Sequence, residues 1–89
     1  MLSFTKHVCE DGISFWWTAL EREDPRVTWD IDGSDYGSSR MVVRLKSDIL
    51  WWLMENLDQD SWDSQQDGNE VMLYLDNEVD IVAFQLVWG

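Results

Sequence analysis

Three short segments in the first half of the chain alternate apolar and polar residues, at 2–8, 27–32 and 41–46. Alternation with a period of two is typical of a strand that buries one face. The Asp11-Gly12 pair follows the first segment and predicts a hairpin turn, because both residue types tolerate positive φ. We therefore expect antiparallel strands in this half of the chain.

Residues 13–20 (ISFWWTAL) fit two kinds of element. As a strand, the segment would place Phe15 and Trp17 on one face, and its aromatic and β-branched residues favour this interpretation. As a helix, it would begin with Asp11 as the N-cap. We favour the strand and keep the helix as the alternative.

A helix is predicted from Ser47 to about Leu57. Ser47 is a favourable N-cap, and Asp48 places an anion in the first turn, where the helix dipole stabilises it. An apolar stripe with helical spacing follows, formed by Ile49, Trp52, Leu53 and Leu57. Trp51 and Met54 belong to a second apolar patch beside that stripe.

The rest of the chain has weaker signals. Residues 58–70 (DQDSWDSQQDGNE) have no sustained period and predict a loop that could include a short helical turn. Residues 71–75 are apolar throughout, as in a central strand. Asp76 fits the N-cap of a last helix, with a hairpin at Asp76-Asn77 as the alternative. Residues 33–39, rich in glycine and serine, predict another loop.

These elements predict an α+β fold, an antiparallel sheet with two helices packed on one face. If residues 13–20 were helical, the order would be ferredoxin-like β-α-β-β-α-β with an extra C-terminal helix. A chain of 89 residues is sized for one hydrophobic core. We therefore expect residues 1–89 to form a single domain.

Acidic residues are concentrated in the second half of the chain. The formal net charge is −12, and residues 47–89 contain ten Asp or Glu and no Lys, Arg or His. A field of this sign attracts basic surfaces and repels nucleic-acid phosphates. We expect a protein partner with a basic surface and no direct binding to nucleic acid.

The sequence offers little for catalysis or metal binding. His7 is the only histidine and Cys9 the only cysteine, so a nucleophile with a neighbouring base is hard to assemble. The segment from Asp63 to Gly68 resembles the first half of an EF-hand loop, but Tyr74 occupies the position that needs a bidentate Glu. We expect no catalytic residue, metal ion or cofactor, and hence no enzyme.

Neither a membrane span nor a signal peptide is predicted. No segment approaches the roughly 18 apolar residues of a transmembrane helix. The first residues, MLSFTKHV, lack the apolar core and the cleavage site of a secretory signal. We expect a cytoplasmic protein with no membrane partner.

Carboxylates interleave with tryptophans in the predicted helix and the segment after it. Carboxylates on a rigid surface can imitate a phosphate array, and tryptophans are frequent anchors of interfaces. The predicted partner-binding residues are Asp58, Asp60, Trp62, Asp63, Asp67 and Glu70, together with Trp51 and Met54. A homodimer that buries Trp51 and Met54 is the alternative use of this surface.

Residues 71–89 end in Phe84-Gln85-Leu86-Val87-Trp88 and resemble the ending of small bacteriophage accessory proteins, which has the motif Phe-x-Leu-x-Trp. The resemblance implies a phage protein that acts in the host bacterial cytoplasm. Small acidic phage proteins are similar to anti-defence or host-takeover inhibitors, which bind a host nuclease, CRISPR effector or RNA polymerase. We expect a non-catalytic inhibitor of this kind, with a homo-oligomeric structural or scaffold module of the phage as the alternative.

Overall fold

The computed structural model describes residues 2–33 and 39–89. Its elements, in chain order, are β1 (Thr5–Val8), β2 (Ser14–Glu21), β3 (Val27–Gly33), β4 (Ser39–Leu45), α1 (Ser47–Asn56), a 3₁₀ turn (Gln59–Ser61), β5 (Trp62–Asp67), β6 (Glu70–Leu75) and α2 (Glu78–Trp88). The loop predicted for 33–39 lies outside the described residues, apart from the two residues that end β3 and begin β4.

Four strands form an antiparallel sheet in the order β1-β2-β6-β5, and β3 and β4 form a separate antiparallel pair. Residues 13–20 lie almost entirely in strand β2, as favoured, so the ferredoxin-like alternative is wrong. β6 lies between β2 and β5. This position agrees with the prediction of a central strand for residues 71–75.

Two tight turns contain glycine in the left-handed conformation. Gly12 has a φ of 88° and Gly68 has a φ of 59°, which glycine adopts without steric cost. The Ile13 N–H donates to Asp11 Oδ1 over 3.1 Å and closes the turn between β1 and β2. The hairpin predicted at Asp11-Gly12 is confirmed.

The prediction of a loop for residues 58–70 is wrong. The segment contains the 3₁₀ turn and then β5, which pairs along its whole length with β6. The β5 sequence, WDSQQD, has one apolar residue, so hydrophobic periodicity gives no strand signal. Hydrogen-bonded pairing with a buried neighbour, more than burial of its own side chains, holds β5 in place.

Both helices pack on the same face of the sheet and share one apolar core with it. The helix residues of this core are Ile49, Leu53, Ile81 and Phe84. The strand residues are Leu20, Val27, Val43, Leu45, Val71, Leu73 and Leu75. The Phe84 ring lies edge-on to the rings of Phe4 and Trp52, with centroids 6.1 and 5.9 Å away. The predicted α+β fold is confirmed.

Both predicted helices are present, but their predicted N-caps are wrong. Lys46 and Asn77 occupy the cap positions, and neither makes a side-chain capping hydrogen bond. Ser47 is already the first residue of α1. Asp76 instead donates its backbone N–H to the Ser61 carbonyl over 2.9 Å, which joins the end of β6 to the 3₁₀ turn. Neither described helix is long and apolar enough to cross a membrane.

The C-terminal end of α2 is tied to the turn between β2 and β3. Arg26 Nε donates to the Trp88 carbonyl, and Arg26 Nη1 lies 2.9 Å from the Asp24 carboxylate. The last carbonyls of a helix have no partner within the helix, and α2 has no basic residue in its last turn. Arg26 therefore supplies a donor from another element.

One side chain joins the two sheets at the seam between β4 and β5. Gln66 Nε2 donates to the Met41 carbonyl over 2.9 Å, and Gln66 Oε1 accepts from the Val43 N–H over 3.1 Å. A peptide group on a neighbouring strand would make the same two kinds of hydrogen bond. The Gln66 amide thus satisfies part of the β4 edge that faces away from β3.

Candidate protein-binding face

The four-stranded sheet has a second face, directed away from the helices. On β6, Val71, Leu73 and Leu75 are buried in the core, so Met72 and Tyr74 project from the other side. We call this side the open face. Within the described residues, the side chains packed against the core do not include those of the open face.

The strand register identifies the other residues of the open face, because directly paired residues share a face. Tyr74 pairs with Trp17 on β2 and with Asp63 on β5. Trp17 pairs in turn with Thr5 on β1. One row across the open face therefore consists of Thr5, Trp17, Tyr74 and Asp63.

Aromatic side chains form a continuous patch on the open face. Phe15 precedes Trp17 by two residues and so shares its face. The Phe15 and Tyr74 ring centroids lie 5.8 Å apart, and those of His7 and Phe15 lie 5.0 Å apart. These separations are typical of aromatic rings in contact. Phe15, Trp17 and Tyr74 are half-buried, and we call these three residues the aromatic patch.

Three carboxylates share another row of the open face. Glu70 on β6 pairs with Glu21 on β2 and with Asp67 on β5. We call these three residues the acidic row. Like charges directly opposed on neighbouring strands are destabilising, so the row costs folding free energy. It lies four residues along β6 from Tyr74, a distance of about 13 Å in a strand.

Asp63 is a fourth carboxylate on the open face, and it lies beside the aromatic patch. Its Oδ1 accepts from the Ser64 N–H over 2.9 Å, and its Oδ2 accepts from Gln65 Nε2 over 2.9 Å. These hydrogen bonds hold the carboxylate in a fixed orientation. Tyr74 is directly opposite, so the two Cβ atoms are about 5 Å apart.

The open face has no Lys or Arg among the described residues of β1, β2, β5 and β6. Lys6, the one cation in these strands, pairs with Trp16 on the helix side of the sheet. Its Nζ lies 5.4 Å from the centroid of that ring. The described residues of these four strands therefore place no Lys or Arg beside the four carboxylates of the open face.

The ion pairs of the described residues lie in the connection between β2 and β3. Arg22 Nε is 3.0 Å from Glu23, and Arg26 Nη1 is 2.9 Å from Asp24. The hydrogen bond from Arg22 lowers the pKa of the Glu23 carboxyl. None of the acids between residues 47 and 89 takes part in an ion pair with a described residue.

The structure brings together three of the acids predicted to bind a partner. Asp63, Asp67 and Glu70 all lie on the open face. Asp58 and Asp60 are exposed at the 3₁₀ turn, just before β5 begins. These five carboxylates therefore lie close together in the sequence, but only three of them lie on the open face.

The three apolar residues predicted for the same site lie elsewhere. Trp62 pairs with Leu75 and so faces the helices, where it is half-buried against the core. Its Nε1 is buried and has no hydrogen-bond partner among the described residues, and its part in partner binding stays a prediction. Trp51 and Met54 are exposed on α1, and the sheet separates them from the open face.

Phe15, Trp17, Tyr74 and Glu21 belong to the open face but were missed as partner-binding residues. The strand interpretation of residues 13–20 already places Phe15 and Trp17 on one face. The missing information was the long-range pairing of β2 with β6, which brings Tyr74 and Glu70 beside them. Alternation within one strand does not reveal which distant strand lies next to it.

The outer sides of both helices expose large apolar side chains. Trp51 on α1 is 62% exposed, and on α2 Val79 is 77% and Leu86 82% exposed. Met54, Val82 and Val87 are also exposed. A stripe such as Val79, Val82 and Leu86 normally marks the buried side of a helix, and here it faces outward.

Other chemistry is sparse in the described part of the chain. It contains no group of three or more His, Cys, Asp and Glu side chains placed to hold a metal ion. The segment that resembles half an EF-hand loop forms β5 and the turn after it. Asp63 and Asp67 are therefore about 13 Å apart along a strand, too far to coordinate one ion together. Cys9 is a free, half-buried thiol.

Comparison of the chain with protein-family models, with curated proteins and with solved structures finds no match. The fold and the side chains of the open face are therefore the features that bear on function. Together they define an α+β protein whose four-stranded sheet has an uncovered face that is acidic and aromatic.

Proposed function

We propose that this protein is a non-catalytic inhibitor that binds the basic surface of a host nucleic-acid-binding enzyme. The observation that supports the proposal is the composition of the open face. It combines Asp63 and the acidic row with the aromatic patch, and its described strand residues include no cation. An enzyme such as a nuclease, a CRISPR effector or an RNA polymerase has a complementary basic surface where nucleic acid lies.

The inhibitor would act by occupying the path of the nucleic acid. Nucleic-acid-binding proteins gain much of their affinity from cations that neutralise phosphates. Carboxylates fixed on a sheet can engage the same cations without presenting a scissile bond. The unpaired charges of the acidic row would gain partners on binding, so repulsion within the free protein would add to the affinity.

We also propose that a bacteriophage encodes the protein, which would then act in the host cytoplasm. This part of the proposal depends on the sequence ending alone. Within that ending Phe84 has a structural role, because it is fully buried between the sheet and α1. Leu86, by contrast, is 82% exposed, so its side chain contributes little to the described core.

A displacement experiment tests the proposed function. Bacterial proteins are bound to immobilised DNA at low salt, and the column is eluted with this protein or with polyglutamate of equal total charge. We expect the protein to release a discrete nucleic-acid-binding enzyme that polyglutamate leaves bound, and to inhibit that enzyme after purification. Release should fall steeply as salt rises. Elution identical to that of polyglutamate would refute the proposal.

The variant for this experiment is Asp63→Asn, Asp67→Asn and Glu70→Gln combined, which should release little. A matched control removes three charges from the helices by the substitutions Asp48→Asn, Glu55→Gln and Glu78→Gln. If both variants released the enzyme from DNA equally well, release would depend on the total charge of the protein and not on the open face.

A homo-oligomeric structural module is the second candidate, and the exposed apolar side chains of the helices favour it. Sedimentation velocity at low and high salt tests it, because an apolar interface persists or tightens as salt rises. If the protein forms such an oligomer, the substitutions Leu86→Glu and Trp51→Glu should dissociate it into monomers. A monomer at all salt concentrations would eliminate this candidate.

A further inference from the structure

The open face presents two kinds of side chain, and each restricts the chemistry of a partner. The carboxylates of Asp63 and the acidic row require a cation, since the described residues of the face provide none. The aromatic patch adds a second requirement. Half-buried rings offer their faces and edges to a flat group, and a cation over a ring is attracted by its quadrupole.

Arginine meets both requirements better than lysine does. Its guanidinium is planar, stacks on aromatic rings, forms two parallel hydrogen bonds with a carboxylate and is weakly hydrated. Lysine is a compact, strongly hydrated charge that satisfies only the first requirement. Tyr74 and Asp63 are directly opposite each other, so one guanidinium over the ring lies within reach of the carboxylate.

The same chemistry occurs within this protein. The Arg22 guanidinium lies 5.6 Å from the centroid of the Trp29 ring, and Arg22 Nε is 3.0 Å from Glu23. One arginine thus contacts an aromatic ring and a carboxylate at once. The open face offers a ring and a carboxylate side by side at Tyr74 and Asp63, and the described residues of its strands include no arginine.

We propose that the open face recognises arginine side chains on an extended, basic segment of the partner protein, and that it prefers arginine to lysine. This inference rests on the proposed function, because it names the group through which the enzyme would be held. The spacing adds a further condition. The acidic row lies about 13 Å from the row of Tyr74 and Asp63, which matches arginines four residues apart in an extended chain.

Two other occupants fit the open face less well. Unpaired nucleic-acid bases also stack on aromatic sheet faces, but the phosphates between them would approach four carboxylates and no described cation. A second copy of this chain would oppose one acidic face with another. Charge complementarity therefore favours a basic protein segment.

The test uses peptides and isotope-labelled protein, and it needs no knowledge of the natural partner. Two glycine-serine peptides carry two arginines or two lysines four residues apart, and a third carries adjacent arginines. Binding is followed by chemical-shift changes of the protein amides and indole N–H groups at moderate salt. We expect the spaced arginine peptide to bind about fivefold or more tightly than the lysine peptide. The largest shifts should occur at Trp17, Tyr74 and Asp63.

Substitutions then separate the two requirements. Trp17→Leu and Tyr74→Leu should each remove the preference for arginine, whereas Trp17→Phe should keep most of it. Asp63→Asn should weaken both peptides. Trp51→Leu, on the far side of the molecule, is the control and should change nothing. Chemical shifts of core residues report whether each variant retains the fold. Because Trp17→Leu and Tyr74→Leu should have the same effect on the preference for arginine, each serves as a check on the other.

Several results would overturn the inference. Equal affinity for arginine and lysine, or no advantage of the spaced peptide, would refute the recognition of arginine. Shifts confined to the helices would refute the location. If a short single-stranded oligonucleotide bound more tightly than the spaced arginine peptide, the partner of the open face would be a nucleic acid and not a protein. If the protein releases an enzyme from DNA but shows no preference for the arginine peptide, only the recognition of arginine is refuted. If it releases no enzyme and also shows no such preference, the proposed function is refuted as well.

Discussion

Glu70 lies between two other carboxylates, so its substitution is a direct test of charge repulsion within the acidic row. It pairs directly with Glu21 on one side and with Asp67 on the other. Like charges directly opposed in an antiparallel sheet are destabilising, and we take the cost of one pair as comparable to the roughly 0.2–1 kcal/mol that an opposite-charge pair contributes. Because Glu70→Gln relieves two such pairs and keeps the shape of the side chain, we expect it to stabilise the fold by about 0.5–1.5 kcal/mol.

Urea denaturation measures this change as a higher midpoint with an unchanged slope. For a domain of this size, each 1 kcal/mol corresponds to about 4–8 °C in melting temperature. The gain should shrink at 1 M salt, where the screening length is about 3 Å. Glu55→Gln removes one exposed charge from α1 and should leave stability within about 0.5 kcal/mol.

A loss of stability in Glu70→Gln at low salt would contradict repulsion within the acidic row, because it would mean that the carboxylate makes a favourable interaction that outweighs its two neighbours. An equal gain from Glu55→Gln would also count against it, since the effect would then arise from total charge and not from the row. If the reasoning holds, Glu70→Gln should be more stable and yet bind a basic partner less well. Such a trade-off is common where a surface serves binding.

Two further substitutions test the core and the seam. Phe84→Ala should lower the free energy of unfolding by about 3–5 kcal/mol, because Phe84 is fully buried. Circular dichroism during urea titration should then show a protein close to unfolding. A loss below about 1 kcal/mol would contradict the packing of Phe84 in the core. Gln66→Ala should cost about 0.5–1.5 kcal/mol by removing the hydrogen bonds to the Val43 N–H and the Met41 carbonyl. Gln65→Ala on the opposite face of β5 is its control, and equal losses would mean that Gln66 does not join the sheets.

The sequence predicted most of the fold where its hydrophobic pattern was strong. Alternation in residues 27–32 and 41–46 identified β3 and β4, and helical spacing identified α1, whereas α2 was predicted from a candidate N-cap. β5 was missed because its residues are almost all polar and its position depends on pairing with β6. The N-caps failed at Ser47 and Asp76, since a favourable residue type near a helix start does not fix which residue precedes the first turn.

The candidate site was predictable only in part. The block of acids between residues 58 and 70 is visible in the sequence, and three of its members lie on the open face. The direction of Trp62 towards the helices was not predictable, because side-chain direction follows from strand parity and residues 58–70 were predicted as a loop. The aromatic patch depends on contacts between β2 and β6, which are separated by about fifty residues in the chain.

The Gln66 bridge has a consequence for the motions of the protein. A side chain can release its two hydrogen bonds by rotating about its own torsions, without unpairing any strand. The seam between β4 and β5 should therefore open at lower free energy than the backbone ladders on either side. In hydrogen exchange, the Val43 amide should lose its protection before the ladder amides of β6.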